Sequence, residues 1–337
     1  MRPAFRFAAI AAAAALALTP VVAVSWGNTG HRIVGVLAIE ALPEEVPAFL
    51  RGKQAMADFG ELSREPDRSK GSGKIHDSNR DPAHYIDLDD AGKVMGGPAF
   101  TDMPPTRADY EASLQAVKTD SWKAGYLQYS IVDAWQQLVK DFAYWRVDTA
   151  MIKRAKGAQK AWYKRDKARR EALLIANLAN LAHYVGDGSQ PLHTSVHHNG
   201  WGDYPNPEGY ATERLHVPWE GSYVMGAVTP DMARAAMTPF KSCGCPIEKR
   251  AVAYLTVTNG FVLPFYKMWK DGRFKPGDAE GAQFAAARIG AGASELRDLI
   301  VEAWRASAGS KVGWPEVSVA DVESGKADPW VAMLGKD

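Results

Sequence analysis

The chain contains 337 residues, of which 40 are lysine or arginine and 39 are aspartate or glutamate, so its charges almost balance. This balance argues against a polybasic protein that binds its partner by charge alone. Hydrophobic residues make up 46% and charged residues 23%, which excludes a disordered or collagen-like chain. Two cysteines are too few for a disulfide framework. We therefore expect a soluble globular protein of one large domain, or two.

Residues 1–25 have the pattern of a secretory signal. Two arginines precede a continuous apolar run over residues 8–18, and Ala23-Val24-Ser25 is a small-x-small cleavage site. A membrane anchor is the alternative, but the run is interrupted by Pro20 and is shorter than the ~20 residues that a span needs. No later segment is long and apolar enough to cross a bilayer. We expect cleavage after Ser25 and an exported protein, secreted or periplasmic, that begins at Trp26.

The remaining residues, 26–337, have the pattern of a single mainly helical domain. Apolar residues at helical spacing predict helices over 31–42, 107–118, 130–147, 168–187, 247–271 and 278–306. Charged, Gly/Ser-rich or Pro-rich segments predict long loops over 64–83, 91–106 and 199–210. Strand-like alternation is short and scarce. We therefore expect an all-α fold with long loops on one side.

Histidines are concentrated in one part of the chain. Five of the eight fall within residues 183–216. His183, Asp187 and His193 form an H-x3-D-x5-H pattern, and His216 and Glu220 form H-x3-E. Residues four apart share a helix face, so His183 and Asp187 should point the same way. The opposite face of that helix should anchor it in the core through Leu174, Leu178, Leu181 and Val185, whereas Ala172, Ala176 and Ala179 lie on the His/Asp face.

Imidazole and carboxylate groups together suit zinc. A single His/Asp pair is more often a buried hydrogen-bonded couple than a metal site. Two such pairs with a further histidine favour a metal site. A free α-amine at Trp26, with its neighbouring carbonyl, could form a five-membered chelate on a metal.

These motifs resemble the zinc-dependent single-strand nucleases of the S1/P1 type, whose superfamily also holds bacterial zinc phospholipases C. The resemblance runs from Trp26 to about residue 225. It is carried by Trp26-Gly27-Asn28-Thr29-Gly30-His31, by the two histidine motifs, by Leu215-His216-Val217-Pro218-Trp219-Glu220 and by His84-Tyr85-Ile86-Asp87. The family fold is mostly α-helical, as the patterns also predict.

The resemblance implies three zinc ions around one cleft. The first would be bound by Asp67, His84, His183 and Asp187. The second would be bound by the amine and carbonyl of Trp26 and by His31, with Asp187 bridging to the first. The third would be bound by His193, His216 and Glu220. Asp58 and Asp77 are the alternatives to Asp67. The resemblance also makes Asp187 and Asp67 catalytic.

The implied activity is cleavage of single-stranded DNA or RNA to 5′-phosphate products, together with removal of 3′-phosphate from nucleotides. Tyr85 is the candidate platform for a splayed-out base and Asp87 the candidate acceptor for its edge, although core packing is an equal alternative for Tyr85. We expect a monomer with no protein partner. Glu220 departs from the aspartate usual in the nucleases and matches the phospholipases, so a zinc phospholipase C remains the alternative, as does an inactive zinc-binding protein. The spacing from Trp26 to His31 favours the nucleases.

Several other features have ordinary explanations. The basic stretch over 153–170, with Trp162 and Tyr163 interleaved, is expected to be a solvated helix face rather than a nucleic-acid contact. His197 and His198 are expected to lie at the surface, and His76, in a charged loop, is expected to be unrelated to metal. Trp201 and Tyr204 are candidates for the cleft rim. Cys243 and Cys245 could form a disulfide after export or remain free thiols.

Overall fold

The computed structural model describes residues 26–334, and the predicted signal segment lies outside these residues. The described chain forms a mainly helical domain, which confirms the all-α prediction. Its α-helices are α1 (Gly27–Glu40), α2 (Lys53–Leu62), α3 (Glu65–Arg68), α4 (Lys74–Arg80), α5 (Arg107–Ala116), α6 (Ser121–Ala124), α7 (Leu127–Arg154), α8 (Gly157–Ser189), α9 (Val224–Ala227), α10 (Pro230–Ala235), α11 (Ile247–Asn259), α12 (Val262–Lys270), α13 (Ala279–Ser307), α14 (Val319–Ser324) and α15 (Trp330–Leu334).

Short elements connect these helices. Four 3-10 helices span Ala48–Arg51, Asp81–His84, Phe100–Asp102 and Pro191–Thr194, and one π-helix spans Pro218–Tyr223. The strands β1 (Lys311–Val312) and β2 (Val317–Ser318) pair antiparallel, and they form the one named sheet of the described chain. Within residues 26–334, none of the helices combines the length and apolar character that a membrane span requires.

The long helices α7 and α8 form an antiparallel pair, and α1 and α13 pack against α8. Across the pair, Trp145 donates from its indole to Glu171 and Asn177 donates to Asp141. The buried positions of α8 include the predicted stripe Leu174, Leu178, Leu181 and Val185, which is fully enclosed. On its other face Ala179 is buried, while Ala172 and Ala176 are exposed.

Two predicted segments differ from the structure. Residues 64–83 are not one long loop, because α3, α4 and a 3-10 helix fill most of this segment. Charged side chains three residues apart, such as Glu65 and Arg68 at 2.6 Å, are compatible with short surface helices, which the loop criteria overlooked. The predicted helix over 247–271 is two helices, since the chain turns at Gly260 and Phe261.

A separate small core holds the C-terminal segment. Val312, Val319 and Val322 pack on Val147 and Tyr163 of the α7–α8 pair. Trp330 lies edge-on to Trp162 and Tyr163, with ring centroids 5.6 Å apart in both cases. The two aromatics of the basic stretch are therefore packing residues, whereas most of its basic side chains are exposed, as expected for a solvated helix face.

Candidate metal centre and cleft

A cavity of about 940 Å³ opens on one side of the helical body, and short helices and loops supply its walls. Three groups of histidine and carboxylate side chains lie at or directly behind the wall of this cavity, to which they contribute His84, His193 and His216. They are His31, His183 and Asp187; Asp67, His84 and His183; and His193, His216 and Glu220. In each group the nitrogen and oxygen atoms that could ligate a metal all lie within 4.8 Å of one another. Because His183 belongs to two groups, those two are adjacent.

The first group forms where α1 meets α8. His31 Nε2 lies 3.4 Å from Asp187 Oδ1, and the His31 ring stacks on His183 with centroids 4.0 Å apart. Gly186 makes this approach possible, because a Cβ there would lie 2.9 Å from His31 Nδ1. His183 and Asp187 share a face of α8, as their spacing predicts.

The second group adds side chains from α3 and from the 3-10 helix Asp81–His84. Asp187 Oδ2 lies 2.9 Å from His84 Nδ1 and 3.3 Å from His183 Nε2. Asp67 Oδ1 lies 3.7 Å from His183 Nε2 and 3.8 Å from His84 Nδ1. Asp187 thus directs one oxygen towards each of the two adjacent groups, which is the arrangement that a bridging carboxylate requires.

The two alternatives to Asp67 have other partners, although Asp77 also lines the cavity. Asp58 accepts a hydrogen bond from Gln54, and Asp77 lies 2.9 Å from the ring of His76. Neither belongs to any of the three groups. The geometry therefore favours Asp67, while its role as a ligand stays a prediction.

The third group is built by local turns. Gln190 caps the 3-10 helix Pro191–Thr194, which carries His193, and Glu220 lies in the π-helix that follows His216. Glu220 Oε2 lies 2.9 Å from His216 Nε2 and 3.6 Å from His193 Nε2. Burial opposes ionisation of Glu220, but His216 and His193 outweigh it and lower the pKa of this carboxyl to about 2.

Backbone carbonyls determine which nitrogen of three histidines carries the proton. Nδ1 of His183, His193 and His216 lies 2.8, 2.6 and 2.7 Å from the carbonyl oxygens of Ser63, His84 and His198. A carbonyl oxygen only accepts, so each Nδ1 donates and each Nε2 of the neutral ring presents a lone pair. Burial also lowers the pKa of His183 well below its usual value, which keeps its ring neutral. This orientation is typical of metal-binding histidines.

In their neutral forms the rings of His193 and His216 direct two Nε2 lone pairs at each other, so a positive charge, either a proton or a metal ion, must lie between or beside these atoms. Nε2 of His193 and Nε2 of His216 lie only 3.1 Å apart. In addition, Asp187 Oδ1 and Glu220 Oε1 are buried and accept no hydrogen bond from the part of the chain that the structure describes. A bound cation would satisfy all of these groups, so the donor set fits a metal centre.

Trp26 is fully buried beside the centre. Its backbone nitrogen donates to Glu220 Oε2 at 3.1 Å, and its carbonyl accepts from Gly30. Its indole donates to the carbonyl of Gly186 at 2.6 Å and to Ser189 Oγ at 2.9 Å. The nitrogen therefore contacts a carboxylate of the third group, whereas the sequence prediction assigns it to the second zinc with His31. That assignment stays a prediction.

Tyr85 and Asp87 both line the cavity. The Tyr85 hydroxyl donates to the carbonyl of Trp122. Asp87 is 5% exposed, and its Oδ1 accepts no hydrogen bond from the described residues. Burial raises the pKa of Asp87, against the opposing effect of His198, whose Nδ1 lies 3.4 Å from Asp87 Oδ2. This buried carboxylate with spare acceptor capacity suits a base edge.

Sequence reasoning missed three residues of the cleft. Lys70 lines it, with Nζ 2.6 Å from Asp67 Oδ1. Gln190 donates to Glu220 Oε2 at 3.0 Å from a fully buried position. Trp122 lines the wall next to Tyr85. Lys70 follows Asp67 by one helical turn, a spacing that could have indicated it, while Gln190 lies inside the H-x3-D-x5-H pattern.

The sequence predictions for the other histidines, for Trp201 and for the cysteines have mixed outcomes. His197 is not at the surface: it is 1% exposed and stacks on Trp201, which is buried rather than at the rim. Its ring lies between the Trp201 carbonyl and Asp90, a pair of polar partners that compensates its burial. His198 is exposed, as expected, and His76 is half-buried. Cys243 and Cys245 form a disulfide.

Fold and site together define a helical protein with a candidate multinuclear metal centre in a surface cleft. The S1/P1 Nuclease family model matches residues 26–235, more than half of the chain and all of the candidate ligands. The chain therefore belongs to the S1/P1 nuclease family. It is a nuclease, a hydrolase that acts on phosphodiester bonds with nucleic acid as its substrate. No curated protein matches it.

Proposed function

We propose that this protein is an exported zinc-dependent phosphodiesterase. It cleaves single-stranded DNA or RNA to 5′-phosphate products and removes 3′-phosphate from nucleotides. The observation that carries the zinc assignment is the pair of facing Nε2 atoms of His193 and His216, 3.1 Å apart beside a buried carboxylate. Family membership supports the nuclease chemistry.

Three zinc ions would be held by the residues that converge at the cleft. The first set is Asp67, His84, His183 and Asp187, the second is Trp26, His31 and Asp187, and the third is His193, His216 and Glu220. Nitrogen and oxygen donors suit zinc, and the third set leaves a position open, as catalytic sites do. Bound zinc would supply Lewis-acid activation of the phosphodiester and of the attacking water.

The chain's own charges prepare the cleft for a phosphate. Burial opposes the charge on Lys70, but Asp67 outweighs it and raises the pKa of this ammonium. Lys70 therefore stays charged and can pair with a phosphate oxygen in the cleft. Arg214 adds a second cation to the cavity wall.

Selectivity for single strands would follow from Tyr85 and Asp87. A base can stack on Tyr85 and present its edge to Asp87 only after it leaves the helical stack of a duplex. A duplex would therefore have to be unpaired before it could bind in this way.

Export would complete the centre. Cleavage after Ser25 would convert the buried Trp26 nitrogen from an amide, which cannot ligate through a lone pair, into an amine that can. This links the predicted signal segment to the chemistry of the cleft.

The test is an activity assay on the purified mature chain with four substrates: single-stranded DNA, single-stranded RNA, duplex DNA and phosphatidylcholine vesicles. We expect release of 5′-phosphate nucleotides from the single strands, loss of activity with a chelator, and recovery when zinc is returned. Release of phosphocholine without nucleotides would favour the phospholipase alternative. Full activity in excess chelator would contradict the zinc assignment.

A further inference from the structure

Trp122 is an exposed aromatic residue in the wall of the cleft. It is 47% exposed, although tryptophan is usually well buried in a folded protein. It lines the same cavity as Tyr85, Lys123 and Met95. Its indole makes no ring contact with another aromatic of residues 26–334, and about half of the side chain is open to solvent.

The backbone that carries Trp122 is held firmly. Asp120 caps α6 by accepting from the Lys123 amide at 3.0 Å, and Glu111 accepts from the Ser121 amide at 3.1 Å. The Tyr85 hydroxyl donates to the carbonyl of Trp122 itself. These contacts fix the backbone that carries the ring before any ligand binds, so the segment loses little conformational entropy on binding.

Gly125 brings this segment against Tyr85. Its φ is 73°, and a Cβ there would lie 2.1 Å from the Tyr85 carbonyl oxygen. Ile86 and Gly125 form a β-bridge at the same point. The two aromatic residues are thus carried by segments that are tied to one another, and they form one continuous wall.

This inference rests on the proposed function. We infer that Trp122 stacks on a second base of the single strand, next to the base on Tyr85. Lys123 adds a cation at the same part of the wall, where the backbone of that second nucleotide would pass. Aromatic platforms combined with cations are the usual means of binding single strands without sequence readout.

The test uses three thymidine dinucleotides. One keeps both bases, one has the 5′ base replaced by hydrogen, and one has the 3′ base replaced by hydrogen. Removing a stacked base should lower kcat/KM of the parent protein by roughly five- to 150-fold, the range for one base–aromatic stack. In Trp122→Ala, we expect the decrease in kcat/KM to vanish for the abasic substrate that lacks the base stacked on Trp122. The decrease should persist for the other abasic substrate, because its missing base stacks on Tyr85. Trp122→Phe, which keeps a ring, should behave like the parent.

Trp314→Ala is the matched control, because Trp314 is 76% exposed and does not line the cavity. It should show the parent's losses for both abasic substrates. The same two losses in Trp122→Ala would overturn the inference. If the parent cleaves no dinucleotide, binding replaces cleavage as the readout, and the proposed function fails only if longer single strands are not cleaved either. The comparison then uses the dissociation constants of labelled phosphorothioate dinucleotides. If removal of one base weakens binding to the parent but not to Trp122→Ala, the second platform is supported. If removal of each base weakens binding to both proteins equally, the inference is overturned.

Discussion

Replacing Asp187 by asparagine tests the bridging role directly. The substitution keeps the shape of a side chain that is completely buried and removes its charge. In the parent, Oδ1 faces His31 at 3.4 Å and Oδ2 faces His84 at 2.9 Å, so one change affects two adjacent groups. Loss of an outer hydrogen-bond partner already costs 10–100-fold in metal affinity. Because the oxygens of Asp187 face both groups, we expect its replacement to lower the zinc affinity of each site by at least ~100-fold.

This loss has a measurable consequence for stability. A ligand at 100 times its Kd stabilises the folded state by about 2.7 kcal/mol. Zinc should therefore raise the free energy of unfolding of the parent more than that of Asp187→Asn, by about 2.7 kcal/mol for each site that is no longer filled. Burial raises the pKa of the Asp187 carboxyl well above its usual value, so without metal the neutral asparagine should not destabilise the fold.

The assay is chemical denaturation with and without zinc, together with zinc content and nucleotide release. Glu220→Asp is the control, because charge and donor type persist there, and we expect it to retain part of its activity. If Asp187→Asn binds a full complement of zinc and cleaves single strands, Asp187 is an ordinary helix residue and the bridging assignment is wrong.

Two further predictions concern the chain start and a buried acid. A variant that keeps Met-Ser ahead of Trp26 should lose one zinc and most activity, as measured by metal analysis, because an acylated nitrogen cannot ligate; full activity would show that the amine is not a ligand. Burial raises the pKa of Asp148 to about 8, and Asp166 adds to the shift. The pKa of an aspartate in the unfolded chain is about 3.9. Ionisation of Asp148 therefore lowers the free energy of unfolding by about 1.4 kcal/mol per pH unit between pH 4 and pH 8, and above pH 8 this loss stays constant. Asp148→Asn should reduce that slope in denaturation measurements at pH 5 and 8, and an unchanged slope would refute the buried-acid assignment.

Helical periodicity was a good guide to the long helices. The stripe from Leu174 to Val185 faces the core because apolar residues at this spacing can be buried only on one side of α8. The same spacing placed His183 and Asp187 together. The helix ends were less accurate: α7 and α8 extend well beyond the predicted segments, since polar residues on their exposed faces weaken the pattern.

Sequence patterns do not predict contacts between residues that lie far apart along the chain. The Trp26 nitrogen meets Glu220 across 194 residues, and no local spacing indicates that distance. His197 is buried because the loop after it folds back and stacks Trp201 on its ring. The loop prediction over 64–83 failed because charge and glycine content do not exclude short helices held by ion pairs one turn apart.

We propose that three groups of side chains at one cleft bind three zinc ions. The most direct measurement is anomalous X-ray diffraction at the zinc absorption edge on crystals of the mature protein. We expect three anomalous peaks: one between His31 and Asp187, one among Asp67, His84 and His183, and one among His193, His216 and Glu220. A single peak, or peaks away from these residues, would contradict it.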